Sequence, residues 1–273
     1  MVRKLFKHEL KAYLHVMLFV WLGMLGVSVF GRIIQFFEQD STVYNIVFVS
    51  SIVVYVIGLA VCFAFPFVFA IVRFYKNLFT GEGYLSFTLP VTPFQHIWVK
   101  VATATFIQVA TVVVMLLSGA VLSAGEVLIE IFKACGYILN LIHIELPELS
   151  VHLLLYILEL ILMFMVANAY SLLLYYTCIC IGQLSKKNRI LTAVGVYFGY
   201  YFVCQILQTI AIVIFTLVRD WSWLTEPLVK LVDQHPYLFV HLLLLSVSLV
   251  TAGLGAIYFA ITHTIMRKKL NLE

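Results

Sequence analysis

The sequence predicts an all-α integral membrane protein with six transmembrane helices, and three observations carry that prediction. Hydrophobic residues (AVILMFWYC) make up 63% of the 273 residues, charged residues only 11%, and mean hydropathy is +1.07. A soluble domain is about 45–50% apolar with glycine included and about 25% charged. This chain lacks the polar side chains to coat a globule of its size, which excludes a soluble enzyme, a disordered tail and a secreted disulfide scaffold. The apolar residues gather in six stretches of span length, and most of the 17 basic residues gather on one side of them.

A hydrocarbon core about 30 Å thick needs about 20 residues of apolar helix. The six stretches run from about Tyr13 to Phe30, Ile46 to Val72, Ile97 to Ser123, Val151 to Ile181, Ile190 to Val218 and Tyr237 to Ile265. Open strands leave unpaired backbone in lipid, so these are helices. Residues 1–12 read as an N-terminal amphipathic interfacial helix, with Leu5, Phe6 and Leu10 in the interface and Arg3, Lys4 and Lys7 toward phosphate groups. They do not read as a cleavable signal peptide, because the following apolar run is too long and lacks a small-residue cleavage site.

Charge then sets orientation. With the N-terminus in the cytoplasm, 13 of the 17 basic residues fall inside, and only Arg32, Lys133, Arg219 and Lys230 fall outside. The acids go the other way, with Glu9, Glu82 and Glu273 alone inside. That bias predicts both termini cytoplasmic in a multi-pass membrane protein. Residues 124–150 and 219–236 become outer loops. The first contains the apolar stretch Leu128 to Ile144, interrupted at its start by Glu126, Glu130 and Lys133. A seventh crossing there would put Lys186, Lys187 and Arg189 outside, so it reads as an interfacial or partly re-entrant helix. Trp221 and Trp223 in the second outer loop suit headgroup depth. Pro66 should kink the second span, and Gly253 and Gly255 permit close approach to the sixth. No internal repeat interrupts what reads as a single transmembrane domain, 1–273.

Chemistry-bearing motifs are sparse. Cys178-Ile-Cys180 has no partner cluster and reads as two small packed hydrophobes. The eight histidines show no His-x-x-x-His or Glu-x-x-His spacing, so no metal is expected. Ser50, Ser51, Ser246 and Ser248 have no evident base to make them nucleophiles. No G-x-x-x-x-G-K-[ST] run is present, so ATP hydrolysis is not expected in this chain.

The inner loop 73–93 is unlike the others. Phe74, Leu78 and Phe79 are spaced to share one face of a short helix. Gly81 and Gly83 are helix terminators, and Leu89-Pro90 and Thr92-Pro93 force extended backbone before the next span. Such an apolar face either docks a partner or packs against the protein's own inner helix ends. The run Gly81-Glu82-Gly83-Tyr84-Leu85, then Thr88-Leu89-Pro90, Gln95 and Lys100, resembles the intracellular loop of ABC-2 type transporter permeases. The basic N-terminal helix, the six spans and the basic C-terminal tail extend that resemblance over the whole chain.

The resemblance implies a cytoplasmic coupling helix between spans 2 and 3 that docks on a separate ATP-binding subunit through Phe74, Lys76, Leu78, Phe79, Gly81, Glu82, Gly83 and Tyr84. It implies a permease that exports an amphipathic cargo (peptide, drug or lipid), with no cofactor of its own and with ATP and Mg in the partner. It also implies two copies of the ATP-binding subunit per complex, a second permease copy or a homologous permease, a bacterial cytoplasmic (plasma) membrane, lipid contacts and no nucleic acid.

Two polar stripes remain. Glu159 is the one carboxylate inside a span, and at about 2.5–3.5 kcal/mol or more in lipid it should face protein or water. Tyr156, Met163, His152 and Tyr170 share its helical face. Tyr197, Tyr201, Gln205 and Gln208 form a similar stripe in the fifth span. These residues either line a substrate path or bond packed helices together. No Arg or His partner for Glu159 is evident in a neighbouring span, which weighs against an intramembrane enzyme. A non-transporting assembly or sensor subunit, and an ion-driven carrier, are also compatible with six apolar spans.

Overall fold

The structure, a computed structural model, describes residues 2–37, 41–80, 91–123, 129–130, 133, 147–185, 188–218 and 222–268. Among these residues there is no strand. Seven helices follow one another: α1 (Val2–Phe36), α2 (Thr42–Phe79), α3 (Pro93–Leu122), α4 (Pro147–Gly182), α5 (Arg189–Val218), α6 (Ser222–Gln234) and α7 (Pro236–Lys268). All but α6 are long and apolar enough to cross a membrane, which gives the expected six. The expected coupling residues Gly81, Glu82, Gly83 and Tyr84, and most of the outer loop 124–150, lie outside the described residues. The segment expected to form the second outer loop holds α6, a short amphipathic helix that packs on α7.

The helices run past the predicted span ends because helical backbone does not stop where composition turns polar. Residues 2–12 are continuous with the first span in one helix of 35 residues, about 52 Å long at 1.5 Å per residue. Helix α2 is longer still, 38 residues or about 57 Å, and reaches Phe79 without a break. The chain divides into two compact units, Met1–Pro147 and Glu148–Glu273.

In the first unit α1, α2 and α3 pack against one another. The buried positions of α2 are Cys62, Pro66, Ala70, Phe74 and Leu78, spaced by four and forming one stripe. Helix α3 is the most enclosed, and its buried face is unusually polar: Lys100, Thr103, Thr105, Gln108, Thr111 and Ser118. Polar contacts replace the hydrophobic drive that lipid removes. Trp21 Nε1 of α1 donates to Thr111 Oγ1 at 3.1 Å, and Tyr55 and Ser118 hydroxyls of α2 and α3 lie 3.2 Å apart. Pro66 has no N–H for the carbonyl four residues back. Gln108 Nε2 donates to the adjacent carbonyl of Phe63 at 3.3 Å, supporting α2 where its own ladder is weakened.

The Thr92-Pro93-Phe94-Gln95 segment has a local structural role. Thr92 Oγ1 accepts from the Gln95 backbone N–H, and the Gln95 side chain accepts from the Thr92 N–H, with Pro93 in the first turn of α3. This is a capping box, which fixes where α3 begins.

In the second unit α4 and α7 are joined by hydroxyls. Thr177 and Thr262 lie 2.9 Å apart, and Thr177 also donates to the Tyr258 carbonyl at 3.1 Å. Gly255 admits Tyr170 and Leu173 at ordinary contact distance, whereas Gly253 has open space beside it. Cys178 and Cys180 are buried and unbridged, as small packed residues should be. Gly182, where α4 ends, is the tightest point. A Cβ there would lie 2.7 Å from Ala193 Cβ and 2.7 Å from the Arg189 carbonyl oxygen. Neither neighbour has a flexible end to yield, so Gly182→Ala should cost about 1–3 kcal/mol. Gly31→Ala meets only the flexible tip of Leu122 at 2.6 Å and should cost less. Equilibrium unfolding of both variants in one detergent tests this order.

Candidate functional site

Two clusters of ionisable side chains stand out. The first lies in the first unit, at the end where α1 begins, α2 stops and α3 starts. Glu9 is 4% exposed and sits on the α1 face that also buries Tyr13 and Met17. Its Oε2 accepts from Arg73 Nε at 2.6 Å, and its Oε1 accepts from Lys100 Nζ at 2.8 Å. Asn77 Nδ2 donates to Oε1 at 3.4 Å. The Arg73 guanidinium also stands over the Tyr13 ring, 6.0 Å from its centroid, and that ring meets Phe69 edge-on at 4.9 Å.

One carboxylate thus holds three helices. Arg73 comes from α2, seven residues before the α2–α3 connection begins at Thr80, and Lys100 lies in the second turn of α3. Movement of the end of α2 or the start of α3 strains bonds to α1. Lys100 is itself 4% exposed, so the pair is nearly dry and its bonds are strong and costly to break singly. Sequence reading placed Glu9 and Lys100 on the inner side without joining them.

The apolar face at this end of α2 is occupied by the chain itself. Phe74 and Leu78 are fully buried within the first unit, continuous with α2 and not part of a separate helix. Lys76 is exposed and Phe79 half-buried, with the Phe79 ring 5.8 Å from Phe74 and 6.3 Å from Tyr75.

The second cluster lies in the second unit, near the starts of α4 and α7. His241 Nδ1 is 2.8 Å from Glu159 Oε1 and 2.9 Å from Oε2, and His241 Nε2 is 2.9 Å from His152 Nδ1. Glu159 therefore does have a histidine partner, and the expectation of none is corrected. The two residues are 82 apart in sequence, and only the register between α4 and α7 brings them together. The Tyr156 ring lies 4.3 Å from that of His241, tilted by 34°, and its hydroxyl donates to the Tyr237 carbonyl at 3.1 Å, while Tyr237 lies nearly parallel to His152 at 5.1 Å. The side chains of His241 and Glu159 are 12% and 17% exposed.

The predicted polar stripes are only partly gathered. Tyr156 and Glu159 share this cluster; Met163, one turn further on, is half-buried. Tyr170 belongs to a separate group, its hydroxyl 2.6 Å from that of Tyr200 and its ring 5.6 Å from Tyr258. Tyr197 pairs with Tyr175 at 5.4 Å. Tyr201, Gln205 and Gln208 are exposed on α5 and do not meet the Glu159 cluster. Among the described residues no group of three His, Cys, Asp or Glu side chains is arranged to hold a metal ion. Comparison with known protein families, curated proteins and solved structures finds no match to this chain.

Proposed function

We propose that the chain is the membrane-spanning permease subunit of an ATP-driven exporter of the ABC-2 type, powered by a separate ATP-binding polypeptide. The observation that best supports this reading is the Glu9 ion cluster. It ties α1 to both helices flanking the α2–α3 connection, the segment that carries the ABC-2-like run. A push on that connection is delivered to three spanning helices together, which is what a mechanical input requires.

In this reading the termini and the connection face the cytoplasm, as the basic residues do. The residues left to touch the partner are Lys76, Phe79 and the segment from Gly81 to Tyr84, because Phe74 and Leu78 serve the chain's own core. The cargo is amphipathic, and two permeases and two ATP-binding subunits complete the machine. ATP and cargo must each favour a different arrangement of the helices for the two to be coupled.

Purification in mild detergent tests the reading. A nucleotide-binding polypeptide should accompany the chain stoichiometrically, and Phe79→Asp should release it or uncouple ATP hydrolysis from transport. Transport by the isolated chain, with no nucleotide-hydrolysing companion, would overturn the proposal.

A further inference from the structure

We infer that the hydrogen-bonded chain Glu159–His241–His152 is a proton-binding site, which takes up a single proton at His152 and stores it on the Glu159 carboxyl. This inference goes beyond the transporter reading and does not depend on it.

The geometry fixes where hydrogens sit. An ionised carboxylate only accepts hydrogen bonds, and a neutral imidazole has one donor and one acceptor nitrogen. With Glu159 ionised, His241 Nδ1 must carry the hydrogen that bridges 2.8 Å to Oε1. His241 Nε2 is then an acceptor, so the hydrogen in the 2.9 Å contact belongs to His152 Nδ1. His152 Nε2 is left as the basic end of the chain, on a ring that is only half-buried.

A proton arriving at His152 Nε2 can be accommodated by shifts along existing hydrogen bonds. The hydrogen on His152 Nδ1 passes to His241 Nε2, and the hydrogen on His241 Nδ1 passes to Glu159. Each N–H bond broken is matched by one N–H or O–H bond formed. The cluster goes from a net charge of −1 to zero, with two neutral rings of swapped tautomer and a neutral carboxyl group. No charge is left in a site where a lone ion is costly.

The titratable groups facing it are Tyr156 from α4 and Tyr237 from α7. Among the described residues no side chain of α5 or α6 is hydrogen-bonded to it, and no cation besides a protonated histidine pairs with Glu159. A structural bond between helices needs only one imidazole. The second histidine, in line with the first, adds another α4–α7 hydrogen bond and, on a half-buried ring, supplies an entry for the proton.

The test uses the full chain in lipid nanodiscs, with ¹⁵N-labelled histidine, taken from about pH 8 to about pH 5, where histidine-containing sites titrate. The proposal expects an infrared carboxylic-acid band to appear on acidification and to vanish in Glu159→Gln. It expects the ¹⁵N signals of His152 and His241, assigned with His152→Asn, to remain those of neutral rings while the tautomers exchange. An imidazolium signal from His241 with Glu159 still ionised would overturn it in favour of a fixed ion pair. So would the absence of any carboxyl band, or a band that Glu159→Gln leaves unchanged. An imidazolium signal in the wild-type ¹⁵N spectrum counts against the proposal whether or not the variants fold.

Discussion

Replacing Glu9 with alanine is expected to destabilise the first unit by about 3–5 kcal/mol, the usual loss when one partner of a buried ion pair is removed. The reason is the charge left behind. Lys100 is 4% exposed, and its ammonium group loses the carboxylate that it shares with Arg73. Arg73, 19% exposed at its side chain, has some access to water, whereas Lys100, at 5%, has almost none. The loss should therefore fall mainly on the Lys100 pair. Glu9→Gln keeps the volume and one acceptor oxygen and should lose less. Glu9→Leu combined with Lys100→Met replaces the buried pair by apolar groups of similar size, and should recover most of the stability lost in Glu9→Ala. Equilibrium unfolding in detergent reads all three. A Glu9→Ala protein within about 0.5 kcal/mol of wild type, the range of an ordinary surface substitution, would mean that the bonds at 2.6 and 2.8 Å are not held in the folded protein.

The same variants bear on coupling. The double substitution restores packing without the ion pairs, so it separates stability from transmission. On the permease reading proposed above, a cluster that carries force from the connection to α1 should leave the double variant folded but with weaker stimulation by cargo of the proposed partner's ATPase.

The six spanning helices were legible because lipid exposure imposes a composition that no soluble helix needs, and the window of about 20 residues is set by the bilayer itself. Their ends were not legible. Residues 2–12 carry Arg3, Lys4, Lys7 and Lys11 yet continue the α1 helix, because intrahelical hydrogen bonds are indifferent to where the apolar region stops. Phe74, Leu78 and Phe79 were read as one face; Phe74 and Leu78 are buried on it and Phe79 is half-buried beside them, since spacing reports direction around a helix. Spacing does not report what covers that face, and here α2's own neighbours do. Glu9 carried a usable signal. It is the only acid in a basic segment, and it lies four residues before Tyr13 and eight before Met17 on the face that becomes buried.

The Glu159 cluster was legible in half. The carboxylate and the Tyr156 side chain declare themselves on one helix, but His241 lies 82 residues from Glu159 in sequence. Counting depth would have joined the histidines. His152 stands five residues after Pro147 at the start of α4, and His241 five residues after Pro236 at the start of α7. The two spans enter from the same side, so equal depth makes contact possible. Adjacency of the helices was the missing fact, and the six hydropathy stretches do not contain it.

Phe74→Ala should act on folding before it acts on any partner, with a loss of about 3–5 kcal/mol. The ring is fully buried, in edge contact with Phe79 at 5.8 Å, and it adjoins Arg73 of the ion cluster. Truncation opens a cavity beside a buried charge, and lipid does not restore the packing that the ring supplied. Lys76→Ala, two residues on and exposed, should stay within about 0.5 kcal/mol of wild type. The two variants together divide the inner end of α2 into a core face and a free face. On the permease reading proposed above, loss of partner association in Lys76→Ala with full stability, set against loss of stability in Phe74→Ala, is the expected pattern. A Phe74→Ala protein as stable as wild type but unable to hold its partner would instead mean that the ring swings out of the core to dock. In that case the stripe Cys62, Pro66, Ala70, Phe74 and Leu78 would not be a fixed packing face through its last two turns.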